Sequence, residues 1–147
     1  MTTITEVQTT QLYQVFIKAT PEQIWDAITK PEFTQKYFYG ARISATPDRY
    51  SSLGPDGSVW GDDDIYEFDP PRKLSHGWRS LYDPELAAEE VSRVTWEIEP
   101  GDDGVSMLTV VHDRLEGAPK TAASVSGGWM RVLSGLKTLL ETGKPLA

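Results

Sequence analysis

Residues 123–141, ASVSGGWMRVLSGLKTLLE, decide the fold. Val125, Trp129, Val132, Leu133, Leu136, Leu139 and Leu140 recur at spacings of three and four, which makes one broad apolar stripe on a helix. At 1.5 Å per residue such a helix spans roughly 27 Å, long enough to cross a small sheet. Gly143 and Pro145 supply its stop signal. A striped helix of this length must bury its apolar side against another layer, and the segments before it are mostly strands.

The first strand is read where Tyr13, Val15 and Ile17 alternate with Gln14, Phe16 and Lys18. Thr20-Pro21-Glu22-Gln23 then starts a helix: Thr20 is the N-cap, Pro21 sits at N1, and Gln23 at N3 completes a capping box. Ile24, Trp25 and Ile28 form its apolar side. Pro31 begins a second short helix anchored by Phe33, Tyr37 and Phe38, and Gly40 ends it. Strands are expected over 41–45, 48–53, 65–69, 73–79, 91–99 and 105–114. Val59-Trp60 reads as a further start, interrupted by a charged turn at Gly61-Asp62-Asp63-Asp64. Residues 82–90 read as a loop with room for one helical turn. Short turns join these strands in sequence, so the sheet is antiparallel; a parallel crossover needs a dozen or more residues. The class is therefore α+β.

The chain has 147 residues, which fits one domain over 1–147 with a frayed start over 1–10. Its net charge of -8 and pI of about 4.7 argue against nucleic acid, since no basic cluster offsets the acidity. Cysteine is absent, which removes thiol nucleophiles, disulfides and thiolate metal sites and suits a reducing, cytoplasmic setting. No signal peptide is read, and no apolar run approaches the ~18 residues of a membrane span. Five Trp and six Tyr are the informative excess, because such rings fill cores or line pockets.

Side chains alternate faces along a strand. Val94, Trp96 and Ile98 share one face; so do Leu108, Val110 and His112, and so do Leu74, His76 and Trp78. Tyr66 pairs with Phe68 by the same parity. These readings send Tyr66, Trp78, Trp96 and both histidines toward the C-terminal helix, although one bulge would reverse any of them. Large aromatics at the rim can hold helix and sheet apart, leaving an apolar layer open to a ligand.

The motifs together resemble the family of the activator of Hsp90 ATPase C-terminal domain (AHSA1-like), within the START-like or SRPBCC superfamily. The residues carrying the likeness are 19–29 with Pro31-Glu32, then 66–74 with Trp78, then 108–112, then Gly127-Gly128-Trp129 with Leu133, Leu136 and Lys137. They run in family order over nearly the whole chain. The resemblance implies a helix-grip fold: a strand, two short helices, a six-strand antiparallel sheet and a long C-terminal helix. It implies no defined reaction, because the superfamily spans lipid and hormone binders and aromatase/cyclases. It also implies a link to chaperones and stress response. Lys36-Tyr37-Phe38-Tyr39 departs from the family's usual Trp, near the expected cavity mouth.

No nucleophile elbow, P-loop, zinc-protease helix or dinucleotide fingerprint is present, so no catalytic set, metal site or cofactor is assigned. The Asp62-Asp63-Asp64 run lacks a calcium-loop pattern and reads as a solvated turn. His76 and His112 read first as hydrogen-bonded core residues, and second as a polar pair facing a ligand. The expected function is binding of a hydrophobic or aromatic small molecule between sheet and helix. Its expected contacts are Trp25, Phe33, Tyr37, Tyr66, His76, Trp78, Trp96, His112, Trp129, Leu133 and Leu136. The alternatives are a cyclase- or hydratase-like enzyme using His76, His112 or Tyr66, and a chaperone-associated interaction module. A homodimer is left open as a further partner state.

Overall fold

The computed structural model describes residues 9–147; the frayed start expected over 1–10 lies, except for its last two residues, outside the described residues. The elements run β1 (Gln11–Ile17), α1 (Pro21–Thr29), α2 (Pro31–Thr34), β2 (Arg42–Ala45), β3 (Arg49–Leu53) and β4 (Val59–Asp69). They continue with β5 (Lys73–Trp78), α3 (Pro84–Ala87), β6 (Ser92–Pro100), β7 (Ser106–Asp113) and α4 (Pro119–Thr142). The strands form one seven-stranded sheet in the order β1-β7-β6-β5-β4-β3-β2, with every neighbouring pair antiparallel. This is the helix-grip arrangement that the resemblance implies.

Local chemistry explains the main joints. Thr20 caps α1 as expected: its hydroxyl accepts from the Gln23 backbone N–H at 3.1 Å, and the Gln23 side chain accepts the Thr20 N–H at 2.9 Å. Helix α4 starts at Pro119, four residues before the expected Ala123, because the apolar stripe does not mark its polar first turn. Its N-cap residue, Ala118, has no side-chain oxygen to offer. Glu89 substitutes from a neighbouring segment, its carboxylate accepting from the backbone N–H groups of Lys120 (2.8 Å) and Thr121 (2.7 Å). The helix ends as expected at Gly143, whose φ of 77° suits a residue without Cβ and whose N–H reaches Leu139 O.

Two expectations on β4 fail for connected reasons. The charged run at 61–64 is no turn, since β4 is continuous from Val59 to Asp69. Asp62 and Asp64 face outward and pair with Arg49 on β3, which neutralises part of the run and lets it stay extended. Tyr66 does not face α4. The β4–β5 register shifts between Ile65 and Glu67, so Tyr66 is an extra residue on a bulge and lies half-exposed beside Arg114. Phe68, beyond the bulge, packs against the core with Leu74 as its partner.

The core lies between the inner sheet face and α1 and α4. Ile17, Ile24, Ile28, Leu74, Val94, Trp96, Ile98, Leu108, Val110 and Leu136 are fully buried there. No helix among the described residues is long and apolar enough to cross a membrane.

Candidate functional site

Toward the β2–β4 end of the sheet the two layers separate. A cavity of about 560 Å³ opens between β3, β4, the end of β5, the chain after α2 and the N-terminal half of α4. Helix α4 contributes Val125, Trp129 and Val132, three positions of the stripe at helical spacing. Phe38 and Tyr39 close one side, Trp60 and Tyr82 another, and Tyr50 and Trp78 line the sheet side. Trp60 is held by a close approach. A Cβ on Gly54 would stand 2.4 Å from the indole, so the 54–57 turn lies against this ring only because residue 54 is glycine. The rings of Trp60 and Tyr82 sit 5.5 Å apart, and those of Trp78 and Trp129 5.6 Å apart.

Behind the wall lie the two histidines, each engaged by a tryptophan. Trp129 Nε1 donates to His112 Nδ1 at 3.1 Å. An indole nitrogen can only donate, so His112 carries its proton on Nε2, which donates to Ser92 Oγ at 2.8 Å. Ser92 Oγ then donates to the Trp78 carbonyl at 3.1 Å. Trp96 Nε1 donates to His76 Nε2 at 3.0 Å, which leaves His76 Nδ1–H for Gly77 O at 2.7 Å. Burial pushes His76 down to about 3, against the Gly77 hydrogen bond, and pushes His112 down to about 4. Both are therefore neutral at pH 7. Neither lines the cavity; His76 instead supports it from behind, its ring stacked on Tyr50 with centroids 3.5 Å apart and planes within 8°.

Among the lining residues, Tyr50, Ser52, Asp63, Arg79 and Ser80 on or next to β3, β4 and β5 carry polar groups. Asp63 and Tyr50 are partners across the β3–β4 ladder, and both line the space. Burial raises the Asp63 carboxyl to about 6, with Arg49, Arg79 and the Arg79 backbone N–H drawing it back. The Tyr50 phenol is raised far out of the working range by burial, then by the Asp63 charge. The Tyr50 hydroxyl and the Trp78 indole N–H are buried and have no hydrogen-bond partner among the described residues.

Of the expected contacts, Trp78 and Trp129 come together in the wall. Trp96, Leu133 and Leu136 are buried in the core behind it. Trp25 packs edge-on against Phe68 at 5.2 Å, and Phe33 packs on the core outside the cavity. Tyr37 turns away and donates to Ala27 O at 2.7 Å. Tyr50, Asp63, Phe38 and Tyr82 line the cavity and stand outside the expected contacts. Tyr50 could have been found by parity within 48–53, but Asp63 was masked by its acidic neighbours. Among the described residues, no group of three or more His, Asp or Glu side chains is placed to hold a metal ion.

Fold and cavity together define a helix-grip protein with an internal chamber under its long helix. The family model of Activator of Hsp90 ATPase homolog 1-like protein matches residues 18–141, and the chain belongs to that family. Among solved structures, a protein from Mesorhizobium loti is similar at 22% identity, covering 90% of this chain and 96% of its own, with a TM-score of 0.72. The Aha1 dimer from Colwellia psychrerythraea is 18% identical, with 93% and 99% covered and a TM-score of 0.71. An HSP90 activator from Plasmodium falciparum is 16% identical, with 94% and 99% covered and a TM-score of 0.71. At these identities the likeness is one of fold. No curated protein sequence matches the chain.

Proposed function

We propose that this chain binds a hydrophobic or aromatic small molecule in the cavity beneath α4. The carrying observation is the chamber of about 560 Å³ walled by Phe38, Tyr39, Tyr50, Trp60, Trp78, Tyr82 and Trp129. The volume falls within the range of small-molecule sites, about 300–1,000 Å³. An apolar ligand leaving water gains about 25 cal/mol for each Å² buried, and rigid rings lose little side-chain freedom in receiving it. Native mass spectrometry of gently purified protein, with a denatured control, tests the reading. A small-molecule mass lost on denaturation supports it. A bare chain that also takes up no bicyclic aromatic probe overturns it.

The cyclase or hydratase reading draws no support from His76, His112 or Tyr66, which do not meet in the cavity. The chaperone-partner reading rests on the family description, and stoichiometric recovery of a chaperone in a pull-down would favour it. A second copy of the chain has as its support one fold relative described as a dimer, and size-exclusion chromatography with light scattering decides it.

A further inference from the structure

A glycine inside a strand weakens it, having no side chain to pack and more freedom to lose on folding. Among the described residues two glycines lie within strands, Gly61 in β4 and Gly77 in β5. Packing accounts for Gly77, where a Cβ would press on the Tyr66 hydroxyl and on Val91, both at 3.1 Å. Gly61 has no such cause. Its φ is not positive. A Cβ there would meet Asp63 Oδ2 at 3.4 Å, Ser52 Cβ at 3.7 Å and the Arg79 carbonyl at 3.8 Å, which are ordinary contacts. The fold would accept alanine at this position.

The missing side chain leaves room on the cavity side. Ser52 is the cross-strand partner of Gly61, and Tyr50 that of Asp63 two residues further along. Alternation puts these four residues on one face of the sheet, and all four line the cavity. At Gly61 the sheet-side wall is therefore bare backbone, with Ser52 and Asp63 beside it. A strand glycine of this kind marks a place where something approaches the backbone closely. A flat ring makes that approach over its whole face, whereas a globular group touches at one point and forfeits most of the contact.

Building on the binding reading above, we propose that Gly61 is a specificity-determining residue, and that a flat aromatic part of the ligand lies face-on against the β4 backbone there. Trp60, Trp129 and Tyr82 supply the remaining apolar area.

The test uses two uncharged alcohols, flat 2-naphthol and globular 1-adamantanol, titrated calorimetrically into the full chain, Gly61→Ala and Gly127→Ala. Gly127 lies on α4, is exposed, and is outside the cavity lining. Wild type is expected to bind 2-naphthol about tenfold more tightly than 1-adamantanol. Gly61→Ala is expected to weaken 2-naphthol about fivefold or more with a Tm no lower than wild type, because its methyl group intrudes on the ligand and not on the fold. Gly127→Ala should keep wild-type affinity. Unchanged 2-naphthol affinity in Gly61→Ala, a lowered Tm in that variant, an equal loss in Gly127→Ala, or equal affinities for the two probes in wild type would each overturn the Gly61 contact. All four leave the binding reading standing. Binding of neither probe by folded wild type would sink both.

Discussion

Trp129 on α4 donates its indole N–H to Nδ1 of His112 on β7 across 3.1 Å, fastening the cavity's helical wall to the sheet. Because His112 Nε2 then donates to Ser92, and Ser92 to the Trp78 carbonyl, two wall tryptophans share one buried network. Trp129→Phe keeps an aromatic ring but loses the indole's second ring and strands a buried acceptor. It should destabilise the protein by about 1–3 kcal/mol in urea unfolding. His112→Ala removes a fully buried ring as well and should cost more. In a double-mutant cycle the two losses should be clearly less than additive. Additive losses would show that the contact is incidental.

Stability should fall as pH drops below about 6.5, with a slope set by three buried groups. The ordinary histidine value is 6.5, and the folded chain holds His76 near 3 and His112 near 4. Between pH 6 and 5, above the range where carboxylates with lowered folded values such as Glu89 and Asp113 add their own uptake, the unfolded chain therefore takes up close to two protons that the native state refuses. Asp63 opposes them: its folded value near 6 exceeds its ordinary 3.8, so here the native state holds one proton that the unfolded state lacks. Net uptake on unfolding is 2 − 1, about one proton, or roughly 1.4 kcal/mol of stability lost per pH unit. Asp63→Asn removes the opposing group, and its slope should approach twice that value in urea unfolding run at several pH values. An unchanged slope would mean that Asp63 titrates at its ordinary value.

The legible parts of this chain were those with a local cause. Thr20 and Gln23 are three residues apart, so their capping box could be read without knowing what lies across the fold. The α4 stripe was equally plain, since its period belongs to the helix itself. What failed depends on partners distant in sequence. Parity misplaces Tyr66 because its strand bulges against β5, and a period of two carries no mark of a bulge. Asp63 reads as one of three solvated acids because its burial depends on Tyr50 across the ladder and on Arg49 neutralising Asp62 and Asp64. Leu133 and Leu136 share the stripe with Val125 and Val132, yet the layers separate only near the helix's first half. Stripe membership shows which face is buried, not whether it meets a core or a space.

Filling that space should abolish uptake while leaving the fold intact. Val125 is partly buried on the α4 wall, where its side chain borders the cavity without closing the core. Val125→Trp adds an indole at the cavity's edge, and overpacking there can be relieved toward the open space. Binding of a bicyclic aromatic probe should fall at least about tenfold by calorimetry, with Tm within a few degrees of wild type. Retained affinity in this variant would place the bound probe elsewhere.

Glu89 should control how firmly the helical wall is held. Its carboxylate accepts from the Lys120 and Thr121 backbone N–H groups and from the Thr121 hydroxyl, all within 2.8 Å, where the N-cap residue Ala118 offers nothing. These hydrogen bonds also hold the Glu89 carboxyl below its ordinary value, against a cost of burial. Glu89→Ala leaves the first-turn N–H groups to water and should cost about 1 kcal/mol, the usual effect of a lost cap. The loss should be local. Amide exchange should quicken over the first turns of α4, up to Trp129, and stay slow around Leu136 and Leu139, which remain packed in the core. Glu89→Gln keeps one acceptor oxygen but not the charge, so its effect should fall between wild type and Ala. Uniform exchange along α4 in Glu89→Ala would mean that the helix opens as one unit, and that the cavity wall has no independent mobility for ligand entry.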